Sequence, residues 1–285
     1  MRKRFVTTNG IRFHLVEDGH PEAPLVLLLH GFPEFWYSWR HQIPVLAEHF
    51  RVVAPDLRGY HLSDKPETGY DIPTLSDDVA ALIEELGAAR AHVVGHDWGG
   101  AVAWAFAHRH PRLLDRLAIL NGPHPLRYAE VVRANPAQAL KSWYILAFQI
   151  PGLPEAVIAA DDYAFVERTF RHSSVRPGTF SDEDIRAYKQ ALALPGAITW
   201  PLEYYRANFR RAGQVSDDFP GTVQAPTLII WGLDDFALEP EQALGLERYV
   251  SGPLRVETIA GASHWIQQEA PDEVNRLLVA FLRDL

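Results

Sequence analysis

The chain contains no cysteine, which excludes disulfides, a thiolate nucleophile and cysteine-ligated zinc and leaves the redox compartment unmarked. It also lacks any apolar run approaching the roughly 18 residues of a membrane span. Its basic start, Met1-Arg2-Lys3-Arg4, leads into Thr7-Thr8-Asn9-Gly10 and not into the apolar stretch of a secretion signal, so a cytoplasmic protein away from membranes is expected. Beyond that start there is no basic block, and the net charge of −9 argues against nucleic acid and for a small neutral or cationic partner. Internal repeats and low-complexity tracts are absent as well. What is present is length: 285 residues can bury a substantial core, as one large α/β domain or as a domain carrying an insertion.

Residues 4–7 and 11–16 flank Asn9-Gly10, a strong hairpin-turn pair, so the chain should begin with an antiparallel edge. Residues 25–29, 52–54, 91–94 and 117–120 are short apolar runs of the kind buried on both faces of a mainly parallel sheet, with helices expected between them. One helix shows in the stripe Leu75, Val79, Leu82, Ile83 and Leu86, with Gly87 placed to end it. After Asn121-Gly122-Pro123-His124-Pro125 the texture becomes helical and aromatic until strands return at residues 227–231 and 255–259. A closing helix carries Pro271 in its first turn and Val274, Leu277, Leu278 and Phe281 on one face. The expected class is α/β, a mostly parallel doubly wound sheet: residues 1–124 form the first part of the core, 125–218 an inserted helical cap, and 219–285 the second part of the core.

The chain is organised around Gly95-His96-Asp97-Trp98-Gly99-Gly100, between the apolar run 91–94 and the helix-like run 101–108. Glycines at alternate positions allow a tight strand-to-helix turn that thrusts the middle side chain outward. With serine in the middle this is the elbow of serine hydrolases. With Asp97 there, the carboxylate can attack an electrophilic sp3 carbon and form an alkyl ester, which water must then cleave at the carboxyl carbon. An isolated aspartate before a helix is ordinarily just an N-cap; the flanking glycines and the downstream residues favour the nucleophile.

Those companions follow in order. His30-Gly31-Phe32-Pro33-Glu34 comes directly after the first buried strand, where the Phe32 N–H can supply an oxyanion donor beside that of Trp98; Pro33 fixes the turn and tolerates a cis bond before it. His264, one of 13 histidines, lies after the last strand, suited to deprotonate the water. Its acidic partner should follow the penultimate strand, in Trp231-Gly232-Leu233-Asp234-Asp235; Asp235 is preferred, with Asp234 as a turn residue. His108 and His110 point apart on a helix and fit a solvated helix end better than a metal site, and no metal is expected.

These blocks, in this order and over nearly the whole chain, resemble the α/β-hydrolases with an aspartate nucleophile, and specifically the epoxide hydrolases. The resemblance implies a triad of Asp97, Asp235 and His264, an oxyanion hole from Phe32 and Trp98, two cap tyrosines that polarise the epoxide oxygen, and no cofactor. The tyrosines would be Tyr144, in Ser142-Trp143-Tyr144, and Tyr205, in Glu203-Tyr204-Tyr205-Arg206, with Tyr204 the competing assignment. A phenol donates a hydrogen bond while neutral, so a pair of them suits an oxygen that becomes an alkoxide. The substrates implied are a small apolar epoxide and water, in keeping with the aromatic cap residues Trp143, Phe148, Phe165, Phe170 and Trp200.

Haloalkane dehalogenases also place tryptophan after the nucleophile, as Trp98 stands here, but often carry asparagine as a second halide donor where this chain has Phe32. Fluoroacetate-type dehalogenases rely on an arginine at the position of Trp98. A capped pocket serving as a non-catalytic receptor is a third alternative, since fold does not fix function. One departure from the resembling family is His61, where glycine is usual in the loop Arg58-Gly59-Tyr60-His61; no catalytic role is assigned to it. The physiological substrate, regio- and enantioselectivity and the oligomeric state, a homodimer or otherwise, are left open by the sequence.

Overall fold

The computed structural model describes residues 1–283. Strands β1 (Arg2–Thr8) and β2 (Ile11–Asp18) pair antiparallel around Asn9-Gly10, both at positive φ (48° and 72°), as a two-residue hairpin turn requires. Strand β3 (Leu25–Leu29) is apolar and buried throughout because the sheet is covered on both faces. The helix expected between β3 and β4 (Arg51–Pro55) is reduced to a 3-10 turn at Trp36–Trp39 and a single turn, α1 (Ile43–Leu46). Pro33 and Pro44 punctuate this connection, and the buried Trp36 and Trp39 fill the space of a longer helix.

Helix α2 (Ile72–Glu85) starts where Asp71 caps the Thr74 N–H at 3.1 Å, and its stripe of Leu75, Val79, Leu82 and Ile83 is buried. Strand β5 (Ala91–His96) leads through Asp97 into α3 (Trp98–Arg109), and β6 (Leu114–Leu120) follows. Six helices then intervene: α4 (Pro125–Ala134), α5 (Pro136–Lys141), α6 (Trp143–Ala147), α7 (Leu153–Arg171), α8 (Asp182–Leu192) and α9 (Thr199–Arg210). Within α7 the helix is broken by Asp161, Asp162 and Tyr163, all left-handed at φ of 51–57°. The chain rejoins the sheet as β7 (Thr227–Gly232) and β8 (Leu254–Ile259), then closes with α10 (Ile266–Glu269) and α11 (Pro271–Arg283).

The sheet has eight strands in the order β1-β2-β4-β3-β5-β6-β7-β8, parallel from β4 onward. Helix α2 packs on α3 and α1 on α11; with right-handed crossovers these pairs cover opposite faces. Between β4 and β5 the winding reverses, so β3 and β5 lie side by side although their outgoing connections run in opposite directions. Loops leaving two such strands part and open a crevice at their carboxyl ends. Phe32 and Asp97 leave the sheet there.

The helical insertion closes over that crevice through polar bonds to the core. Tyr188 donates to Gln268 (2.9 Å), Tyr37 of the core donates to Asp184 (3.0 Å), and Tyr204 donates to the Arg58 carbonyl (2.8 Å). Among the described residues no helix is long and apolar enough to cross a membrane.

Candidate active site

Asp97 sits at φ 51° and ψ −119°, a backbone conformation costly for any residue with a Cβ. Its surroundings enforce it. A Cβ on Gly95 would collide with the backbone of Gly99, one on Gly99 with the carbonyls of Leu29 and His30, and one on Gly31 with the Asp97 side chain. Glycine at these positions lets β3, β5 and α3 approach closely enough to aim the carboxylate into the crevice.

The two oxygens of that carboxylate are held differently. Oδ1 accepts the Phe32 N–H at 2.8 Å, and the peptide between Phe32 and Pro33 is cis. Oδ2 faces His264 Nε2 at 3.5 Å. The Trp98 N–H, in the first turn of α3, has no intrahelical partner and makes no bond to the carboxylate in this resting arrangement.

His264 Nδ1 donates to Asp235 Oδ2 at 2.8 Å. Asp235 is fully enclosed and accepts three further bonds, from the N–H groups of Ala237 (2.7 Å) and Leu238 (2.9 Å) and from the Asn121 side chain (2.6 Å). Asp234 instead accepts the Gly261 N–H at 2.9 Å, tying two loops together. The structure thus brings Asp97, His264 and Asp235 into one chain of contacts and leaves Asp234 outside it.

Burial pushes both carboxyls up, but His264 outweighs it, and Asp97 and Asp235 end below the usual carboxylate range. Burial likewise pushes His264 down, yet the charges and hydrogen bonds of Asp235 and Asp97 raise it well above an ordinary histidine. The histidine and the two carboxylates thus each favour the charged form of the others.

Tyr205, buried, stands edge-on to Trp98 (5.0 Å between ring centroids) and to Phe32 (5.6 Å); Tyr144, half-buried, meets it at 6.0 Å. Burial, and then neighbouring groups that include the Asp97 charge, raise both phenols well above their ordinary range, so both remain donors. Tyr204 is one residue further back on α9. It is fully buried, and its hydroxyl is committed to the Arg58 carbonyl. Of the aromatic residues expected in the insertion, Phe148 joins this group, 5.0 Å from Tyr205. Trp143 is 65% exposed, Trp200 stacks on Tyr70, and Phe170 packs on Tyr188 and Trp265.

A family profile described as the alpha/beta hydrolase fold matches residues 24–271. The chain belongs to this family. It is 43% identical to the AB hydrolase superfamily protein YfhM of Bacillus subtilis, over 99% of this chain and 98% of that protein. It is 40% identical to epoxide hydrolase 1 of Caenorhabditis elegans, over 98% of this chain and 70% of that one. Among solved structures it is similar to an epoxide hydrolase of Bacillus megaterium in complex with an inhibitor, with a TM-score of 0.89 and 34% identity, covering 99% of this chain and 100% of that one. The chain is a hydrolase with epoxide hydrolases as relatives.

Around Asp97, His264 and Asp235 lie residues that motif reading missed. His96 precedes Asp97, and both its ring nitrogens face acceptors: Nδ1 donates to Glu34 (2.9 Å) and Nε2 to the carbonyl of His264 (2.8 Å). Glu34 also accepts from the Gly31 N–H and from the side chains of Gln267 and Gln268 (3.1, 3.1 and 2.8 Å), so the pair braces the histidine loop from beneath. Asn121, at φ 37°, donates to Asp235 while accepting the Gly232 N–H at 2.8 Å. The signal for Asn121 was its place: like His30, Asp56 and Asp97, it directly follows a buried strand. The solvated helix end expected of His108 and His110 is corrected in part. His110 is half-buried and bonded to Asp77 (2.8 Å), but His108 is buried and bonded to His124 (3.0 Å), because the segment leaving the cap at Phe219 and Pro220 folds over it.

Proposed function

We propose that this hydrolase converts a small apolar epoxide and water into a vicinal diol through an ester on Asp97, with residues 125–218 acting as the cap. The observation that carries the reading is the unequal hold on the two Asp97 oxygens. Oδ2, free of backbone donors, attacks an epoxide carbon from the side opposite the breaking C–O bond. Tyr144 and Tyr205 hydrogen-bond the departing oxygen and one of them protonates it, leaving a hydroxyalkyl ester.

Esterification removes the Asp97 charge. With it goes part of what raises His264, so the ring can pass its proton, by way of water, to the tyrosine left deprotonated by ring opening, and then take one from a water directed at the ester carbon. Asp235 keeps Nδ1–H in place and stabilises the imidazolium as it forms. Negative charge then develops on Oδ1, already 2.8 Å from the Phe32 N–H, with the unpaired Trp98 N–H as second donor. Collapse of this intermediate releases the diol and restores the carboxylate. The aromatic walls, Phe32, Trp98, Phe148 and the two tyrosines, support an apolar substrate.

The deciding experiment is turnover of an aryl epoxide, an alkyl epoxide and a bromoalkane, with diol and bromide quantified separately. Diol without bromide is expected; bromide without diol would assign the site to dehalogenation. In the same assay His264→Gln should retain the ester, seen as a protein mass increased by that of the epoxide, and an unmodified mass would separate His264 from the second step.

A further inference from the structure

On the rim of the sheet, apart from the triad, Asp56 directly follows β4 with its carboxylate completely enclosed. Its Oδ1 accepts the Trp36 N–H at 3.1 Å. Its Oδ2 meets two imidazoles, His14 Nδ1 at 2.7 Å and His61 Nδ1 at 2.8 Å. The three atoms lie within 4.8 Å of one another, in the one such group of histidine and acidic side chains among the described residues. His14 is buried on β2, whereas the His61 side chain is 18% exposed and gives the cluster a way out to water.

His61 is the position at which the chain departs from the glycine of the resembling family. It sits at φ 39°, in the region where glycine is relaxed and a Cβ costs about 1 kcal/mol. A residue that pays for a strained backbone is kept by what its side chain does. Here the ring packs 4.6 Å from Phe35 with Nδ1 aimed at Asp56, and Lys65 Nζ bonds the carbonyls of His61 and Ser63, pinning the loop that carries it. One imidazole would satisfy Oδ2; a second is supplied at a conformational cost.

We propose that His14, Asp56 and His61 form a binding site for one divalent first-row metal ion, of the class that favours right-angled coordination by imidazole and carboxylate, Cu2+ or Ni2+. Ligand atoms about 2.0 Å from a metal stand roughly 3.3 Å apart in a tetrahedron and about 2.9 Å apart at right angles. The 2.7 and 2.8 Å separations fit the second arrangement without spreading the loop. On binding, each neutral imidazole carries its proton on Nε2 and turns its Nδ1 lone pair to the metal, the carboxylate contributes Oδ2, and water completes the sphere beside His61. The site is independent of the ester chemistry, but it shares backbone with it: the Leu57 N–H, next to Asp56, donates to His30 Nε2 at 3.0 Å, two residues before Phe32.

The test uses the full chain, freed of metal by EDTA and dialysis, titrated calorimetrically with CuCl2 and NiCl2, with electron paramagnetic resonance of the copper form. One tight equivalent per chain is expected, with hyperfine structure from two nitrogens and a rise in the thermal midpoint, since a ligand of the native state stabilises it. His61→Gly removes a ligand while relaxing the backbone, so it should fold normally and bind at least about tenfold more weakly, a loss that even an outer partner's removal causes. His14→Gln should also lose the two-nitrogen pattern, while His110→Gln, altered at a half-buried histidine outside the cluster, should keep it. Undiminished affinity and stoichiometry in His61→Gly, or no binding to the unaltered chain at 100 times the protein concentration, would overturn the proposal.

Discussion

Two buried histidine sites in this molecule are shifted in opposite directions by what surrounds them. At the rim, His264 lies between Asp235 and Asp97, and the two carboxylates overcome burial and raise it well above an ordinary histidine. At the hinge where the cap begins, His124 faces His108 across 3.0 Å and stacks on Tyr249 at 4.0 Å, with no carboxylate in contact. There burial dominates, and both rings are pushed below the usual range, His124 well below it. The hinge pair bonds only when neutral: His108 Nδ1–H donates to the Pro220 carbonyl, its Nε2 accepts from His124, and His124 Nδ1 accepts the Leu126 N–H. Burial by itself makes histidine a structural residue, and buried carboxylates make it a reactive one.

The largest way to break this contrast is to remove a carboxylate at the rim. Asp97→Ala should reduce diol formation by more than about 10⁴-fold and lower the His264 titration seen by NMR; an unchanged titration would mean that Asp97 does not hold the proton. Asp235→Asn leaves the nucleophile but misorients the imidazole, so ester should accumulate in single-turnover mass spectra and steady-state turnover fall by about 10³–10⁴-fold, as when a triad aspartate is amidated. A smaller effect separates the phenols. Tyr144→Phe and Tyr205→Phe should each slow ester formation by about 10²-fold, whereas Tyr204→Phe should leave that rate alone and lower the thermal midpoint instead, its bond to Arg58 being worth about 1 kcal/mol.

The hinge gives the smallest effect and the opposite pH dependence. A histidine whose folded pKa is depressed binds its proton more readily when unfolded. Its stabilisation is therefore complete above about pH 6.5 and declines as pH falls below that value towards the folded pKa. His264, raised, contributes its full share below about pH 6.5 and loses it as pH climbs through its folded pKa. The double variant His108→Leu with His124→Phe should flatten the acid limb of the stability curve in urea titrations while turnover at neutral pH persists. A variant with an unaltered acid limb would show that the pair is not what acid titrates.

That Asp97, Phe32, Asp235 and His264 meet at one end of the sheet was legible in the sequence, because Asp97 directly follows β5 and the other three lie in the loops that leave β3, β7 and β8. Tyr205 was harder. Adjacent residues on a helix lie about 100° apart, so motif position narrowed the choice to Tyr204 and Tyr205, and only the tertiary bond of Tyr204 to Arg58 separates them. His96 and Glu34 sit 62 residues apart and pass for motif filler until folding joins them. His108 looked solvated beside Pro111 because the segment that covers it lies 112 residues downstream. Aromatic richness misled at Trp143, which faces solvent and not the crevice.

The crowding beneath Asp97 also sets where this site can change over evolutionary time. Gly31, Gly95 and Gly99 each have backbone or the Asp97 side chain where a Cβ would stand, so almost no single substitution survives there. Only the Gly31 contact involves the Asp97 side chain; at Gly95 and Gly99 the obstacle is backbone, so the unusual angles at 97 are imposed by neighbours more than by its own side chain. The socket is rigid and the group mounted in it is exchangeable. Divergence of chemistry on this scaffold should therefore start at position 97 and in the cap residues facing it, while the glycines stay fixed, and a mutagenesis library that spares them would retain folded proteins at the highest rate.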